Sequence, residues 1–195
     1  MNLFNLNRIA MAERPRVLER ARAHLDQISR QGAGRVLELP GTGWLMVFNA
    51  DSTDTDHAFR VVVHALLAAE ALDELNEEDL TADRLELVFR FGLHDMSPPA
   101  SDTELRRSDE LADAVVLSAV APAGCVAASE SCFERILRPE RLVADELVNP
   151  VLSSLATART DGCVVISTTA DTYRPALDRA FEVFRQATTS SPSTF

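Results

Sequence analysis

The run Arg35-Val-Leu-Glu-Leu-Pro-Gly-Thr-Gly-Trp-Leu-Met-Val-Phe48 sets two apolar stretches on either side of Gly41-Thr42-Gly43. Two glycines permit the positive φ that a tight turn between antiparallel strands demands. The run therefore predicts a β-hairpin, with strands near 35–40 and 44–49.

Upstream, Leu3, Phe4 and Leu6 mark a short strand over Asn2 to Leu6. Val17, Leu18, Ala21, Leu25 and Ile28 recur at helical spacing and predict a helix over 12–31, ended by Gln31-Gly-Ala-Gly34. Downstream, Asp51-Ser-Thr-Asp54 offers capping oxygens for a helix over 55–76. Its run Ala58, Phe59, Val61, Val62, Val63, Ala65, Leu66, Leu67 is so apolar that burial on more than one side is expected. After the acidic loop Asn76 to Asp83, residues 85–94 alternate as a central strand. Strand, helix, hairpin, helix, strand is the α+β, ferredoxin-like βαββαβ plan.

Beyond it, Met96 to Asp102 reads as an exposed loop, 108–121 as a helix, Pro122-Ala-Gly124 as a turn and 125–128 as a short strand. Ser129 caps a short helix ending near Leu137. Strands near 140–147 and 162–167 and a helix over 171–187 follow, the helix with a stripe of Leu177, Ala180, Phe181 and Phe184. The organisation expected is a single domain over 1–187, with its core at about 1–137, a C-terminal α/β extension at about 138–187 and a disordered Ser/Thr/Pro tail at 188–195.

Composition excludes some roles. The chain has 195 residues and a net charge of −11, and its nineteen cations are all arginine. Nucleic acid and anionic membranes need clustered cations, so neither is an expected partner. Cys125, Cys132 and Cys163 are scattered outside any CxxC pair and fit reduced thiols in a cytoplasmic protein. No apolar run reaches the roughly 20 residues needed to span a bilayer, so no membrane insertion is expected of this chain, though a parent protein could be anchored. Asp51, Asp54, Asp56 and His57 read as capping and solvated charge, His64 as a core histidine, and Asp109 with Asp113 as a solvated helix face.

Three collinear segments carry a family resemblance. The hairpin resembles the central hairpin of the class III nucleotidyl cyclase domain, whose turn reads Gly-Asp-Gly. Arg90-Phe-Gly-Leu-His94 is similar to that family's strand ending in Gly-Ile-His. Ala121-Pro-Ala-Gly-Cys-Val-Ala-Ala-Ser-Glu130 resembles its Ala-Pro-Pro-Gly-x-Val-x-Val-Ser-Glu stretch. A diguanylate cyclase is disfavoured, because no Gly-Gly-Asp/Glu-Glu-Phe turn occurs.

The resemblance implies a metal aspartate in the first strand, where Asn5, Leu6 and Asn7 stand, and another at Thr42. It places the transition-state asparagine on Ala112, the transition-state arginine on Val116, and the base-reading position on Leu105. It also calls for a triphosphate-binding lysine, which this chain lacks. Glu38 falls where guanylyl cyclases carry a guanine-reading glutamate, although a glutamate on the polar face of a strand is ordinary. Trp44 matches the family's aromatic, as a core or cleft-wall residue. A neutral hydroxyl does not replace a carboxylate on Mg²⁺, and phosphoryl transfer rests on metal and cations.

The expectation is therefore a cyclase homology domain that is not an enzyme, with no catalytic residue, no metal and no cofactor. It would serve as a regulatory or protein-interaction module, with a small-molecule or nucleotide sensor in the remnant cleft as the alternative. The apolar helix at 55–76 further predicts a homodimer or protein partner, unless residues 138–187 fold back over it.

Overall fold

The computed structural model describes every residue except 5, 7, 8, 40, 42, 49–53, 80–86, 100 and 190–195. Thr42, the central residue of the turn, thus lies outside the described residues, as do Asn5 and Asn7.

The elements run β1 (Asn2–Leu3), α1 (Arg14–Gln31), β2 (Arg35–Leu39), β3 (Gly43–Val47), α2 (His57–Asp79) and β4 (Phe89–Leu93). There follow α3 (Asp102–Leu105), α4 (Asp109–Val120), β5 (Val126–Ala128), α5 (Glu130–Glu134), β6 (Leu142–Glu146), β7 (Val164–Thr169) and α6 (Arg174–Thr189), with 3₁₀ turns at Pro139–Arg141 and Pro150–Ser154. The strands form one sheet in the order β2-β3-β1-β4-β5-β7-β6. Its first four strands, all antiparallel, are the ferredoxin-like arrangement; β5, within the span expected for the core, joins parallel to β4, and the extension adds β7 and β6 antiparallel. The hairpin pairs in register, Val36 with Met46 and Leu37 with Leu45, and Gly41 and Gly43 take φ of 77° and 145°.

Alternation along the strands sorts the core into two layers. Phe89, Phe91, Val126, Ala128 and Ile166 face α1, α2 and α6, whereas Ala127 joins Leu117 and Ala121 of α4 with Leu147, Leu152 and Cys163 on the other face. Gly92 also lies on the α4 side. A Cβ built on it would stand 2.1 Å from the Ala114 carbonyl oxygen and 2.4 Å from the Ser118 nitrogen, so hydrogen is the only side chain the α4–β4 contact admits.

Some expectations are corrected. β1 is two residues long and does not reach Leu6. The stretch read as a loop up to Asp102 gives way to the turn of α3, and α6 runs on to Thr189, past the boundary drawn for the tail. The apolar excess of α2 is covered within the chain. Val62, Leu66, Leu67, Ala68, Leu72 and Leu75 are buried among the sheet, α1 and α6. From α6, Leu177 and Phe184 pack into that core, Arg174 pairs with Glu70 at 2.7 Å and Arg185 with Glu74 at 2.8 Å. Among the described residues, the apolar face of α2 is thus covered within the chain, by the sheet, α1 and α6.

A buried clasp also ties the extension to α2. Arg141, 3% exposed, meets the carboxylate of Asp56 with both terminal guanidinium nitrogens and lies 3.6 Å over the Phe59 ring. Asp56, read from sequence as solvated charge, is instead this partner, and the hydrogen bond from Arg141 holds its carboxyl below the ordinary value. Such a group stabilises the fold fully above about pH 4 and loses that contribution as pH falls through its lowered folded value. Arg141→Met is expected to cost about 2 kcal/mol, less than breaking a wholly buried pair because Asp56 keeps contact with water. Urea titrations at pH 7 and pH 3 check this: the deficit should shrink at the lower pH, and an equal deficit at both would remove the clasp's electrostatic role.

Candidate functional site

The residues that the resemblance assigns to chemistry are divided between the hairpin and the α3–α4 segment. On β2, Glu38 directs its carboxylate towards Arg22 of α1, 3.6 Å away and largely exposed, while its backbone carbonyl accepts a hydrogen bond from Arg106 at 2.5 Å. Trp44, opposite Glu38 in the ladder, is 4% exposed and belongs to the core beneath α1, as a core role requires. Leu105, at the end of α3, is 1% exposed. Ala112 and Val116 lie one helical turn apart on α4, the first exposed and the second half-buried. The hairpin and α3 are brought together by Arg106 and by the Arg35–Asp102 pair at 2.8 Å, which places Leu105 beside β2.

A Mg²⁺ pair is implied by the resemblance, and the donor set does not fit one. Leu6 is apolar, the amides Asn5 and Asn7 and the hydroxyl of Thr42 are the groups available, and no carboxylate stands among them. Among the described residues, no group of three or more His, Cys, Asp or Glu side chains is placed to hold a metal. Burial raises the thiols of Cys125 and Cys163 above the ordinary value and pushes Cys132 up to about 12, so all three stay protonated at neutral pH.

The densest polar constellation lies elsewhere and was not foreseen. Asp113, read as part of a solvated face, is 1% exposed. Its carboxylate accepts the backbone N–H groups of Ala156, Thr157 and Ala158 at 2.7, 2.7 and 2.9 Å and the Thr157 hydroxyl at 2.7 Å. Burial alone would raise its pKa, but these four donors outweigh it and hold the group below the ordinary value.

From Thr157 the chain of contacts passes to His94 Nε2 at 3.0 Å, then from His94 Nδ1 to Ser129 Oγ at 2.8 Å, and on through Ser131 to Asp95. Since the Thr157 hydroxyl donates to Asp113, its remaining lone pairs receive the proton of His94 Nε2. A serine beside a histidine invites a nucleophile reading, yet Ser129 is fully buried and accepts the Cys132 N–H as the cap of α5. The network clamps the 156–158 loop and α5 onto the end of β4. Leu117, one turn on from Asp113, was the available signal that this face of α4 is buried, but the partners of Asp113 lie more than forty residues away.

No protein-family model matches the chain, and no curated protein matches it in sequence. Solved structures do. It is similar to the catalytic core of a rhodopsin-guanylyl cyclase with converted specificity, in complex with ATPalphaS, at 17% identity and TM-score 0.64 over 87% of this chain and 93% of that one. It is also similar to the non-canonical dimeric guanylyl cyclase domain of the RhoGC fusion protein from the aquatic fungus Blastocladiella emersonii, at 16% identity and TM-score 0.60 over 87% and 91%. A third likeness is to the guanylate cyclase domain of RhGC from Catenaria anguillulae in complex with GTP, at 18% identity and TM-score 0.58 over 87% and 93%. These findings correct the expectation that the chain is not an enzyme, because the structures it superposes on are cyclase catalytic domains and the likeness leans that way. Among the described residues, no helix is long and apolar enough to cross a membrane. The chain has the fold of the class III nucleotidyl cyclase catalytic domain.

Proposed function

We propose that this chain is a signalling module of cyclase fold that acts by protein interaction, regulating a partner domain of the same fold. The observation that carries this reading is the identity and placement of the residues at the positions the resemblance marks for chemistry. Leu105 is buried, while Ala112, exposed, and Val116, half-buried, are apolar groups on α4, so none of these three positions carries a polar or charged group. The one acidic residue that α4 buries, Asp113, is saturated by the 156–158 loop. One of the similar structures is a non-canonical dimer of such a domain and another, a double mutant of the same domain, is monomeric, so domains of this shape are seen both paired and alone.

The test is a titration of the purified chain into a competent cyclase domain from the same genome, with ATP or GTP and Mg²⁺ or Mn²⁺, and cyclic product followed by mass spectrometry. Turnover of the added domain should change at least about threefold and saturate at micromolar concentrations of this chain, in keeping with a modest interface. A flat titration, or cyclic product made by this chain alone at a rate that accounts for the total, would sink the regulatory reading.

A further inference from the structure

The sheet ends at β6, which among the described residues pairs with β7 alone. Leu147 donates its N–H to the Cys163 carbonyl at 2.9 Å, and this fixes the phase of the ladder. Asp145 therefore bonds inward to Val165, and the N–H and C=O groups of Ala144 and Glu146 point away from β7. No hydrogen bond from elsewhere in the described residues reaches them. Beside this edge, between β6, α5 and the start of β7, lies a groove of about 380 Å³. Phe133 and Val164 line its apolar part, and Glu130, Glu134, Asp145 and Glu146 carry its charge. Glu130 is met by Arg159 at 3.1 Å. The other three carboxylates are exposed and form no ion pair among the described residues.

We propose that the β6 edge and this groove bind an extended basic segment of a partner protein, which adds itself to the sheet as an eighth strand. Backbone bonds to Ala144 and Glu146 hold the segment. Arginine or lysine at its alternate positions enters the groove, with the side-chain stem against Phe133 and the charge among the carboxylates. Charge selects this occupant. Exposed strand edges are blunted by bulges and charged side chains, and β6 has both, with a bulge at Val143 and Ala144. Its charges are of one sign, however, so they turn away acidic strands and attract basic ones. A second copy of the chain fits badly, because two β6 edges laid together would oppose Asp145 and Glu146 to the same residues, and like charges across a strand pair are destabilising. This rests on the interaction reading proposed above and names the segment by which a partner is held.

Fluorescence anisotropy with the whole chain and the labelled peptide acetyl-Thr-Arg-Val-Arg-Val-Arg-Thr-amide tests it. The peptide should bind with Kd below about 500 μM, and severalfold more weakly at 500 mM salt than at 50 mM. Two further peptides, N-methylated on the arginines or on the residues between them, separate strand addition from attraction by charge alone. One of the two should lose at least about tenfold in affinity and the other should bind as the parent does, since alternate N–H groups face the edge. Replacing the arginines by glutamates should abolish binding. Glu134→Arg with Glu146→Arg should weaken it at least about tenfold at an unchanged Tm. Ala144→Pro removes an outward N–H and no ladder bond, and should do the same.

No binding up to about 1 mM would overturn the proposal, as would equal affinities for the two methylated peptides. An acidic peptide that binds as well, or a dimer that Ala144→Pro dissociates, would put another occupant on the edge and overturn it too. Any of these would leave the regulatory reading to its own turnover titration, whereas phased binding beside a flat titration would keep the site and discard that reading.

Discussion

Gly92→Ala should cost this chain about 3 kcal/mol, the upper range for forcing an atom into a packed interior, with a fall in Tm of about 6–12 °C for a chain of this size. The added methyl would meet the Ala114 carbonyl oxygen and the Ser118 nitrogen, at 2.1 and 2.4 Å. Both are backbone atoms of α4, so no rotamer change relieves the clash and the whole helix must lift from β4. Leu117, fully buried under the same contact, would lose part of its packing as α4 moves. Urea denaturation followed by circular dichroism gives the answer. A midpoint within experimental error of the parent would mean that α4 does not sit on β4 as described.

Asp113→Asn is expected to be the next most damaging change, at about 2–3 kcal/mol, since it replaces a charged acceptor of four hydrogen bonds by an amide. One amide oxygen keeps part of the donor set, but the amide nitrogen then faces N–H groups that it cannot accept. The pH dependence separates this from simple loosening. Because the folded carboxyl is held below the ordinary value, the parent enjoys its stabilisation fully above about pH 4 and forfeits it as pH falls through the folded value. The gap between variant and parent should therefore be widest at pH 7 and narrow towards pH 3. A gap independent of pH would show that the 156–158 loop is not held through the charge.

Much of the fold could be read in the chain, because its signals are local. The glycines of the turn and the apolar strands beside them announce the hairpin, and helical spacing announces α1 and α6. The apolar run of α2 correctly demanded cover on several sides. Periodicity cannot say which neighbour provides that cover, so a partner and α6 were equally good readings until Phe184 and Leu177 were seen against α2.

The α3 turn went unread even though Ser101-Asp-Thr-Glu104 spells a capping sequence, because four residues give no period to detect. Asp113 and Asp56 were taken for surface charge because a carboxylate's partners are set by chain reversals remote in sequence. At the site, residue identities could be matched to a family pattern from sequence. That matching supported a non-enzyme more firmly than the shared fold with cyclase catalytic domains allows.

The covering of α2 by α6 also has a consequence for synthesis. The longest helix of the chain is complete at Asp79, whereas Phe184, which helps to cover it, is translated about a hundred residues later. At ordinary translation rates of about 5–20 residues per second, that leaves roughly 5–20 s in which α2 lacks its last neighbour on the ribosome. β1, made first, waits for β3 and then β4 before it is paired on both sides. The nascent chain is thus a natural client for holding chaperones. Its yield in cells should depend more on their supply during that interval than on the equilibrium stability of the finished fold.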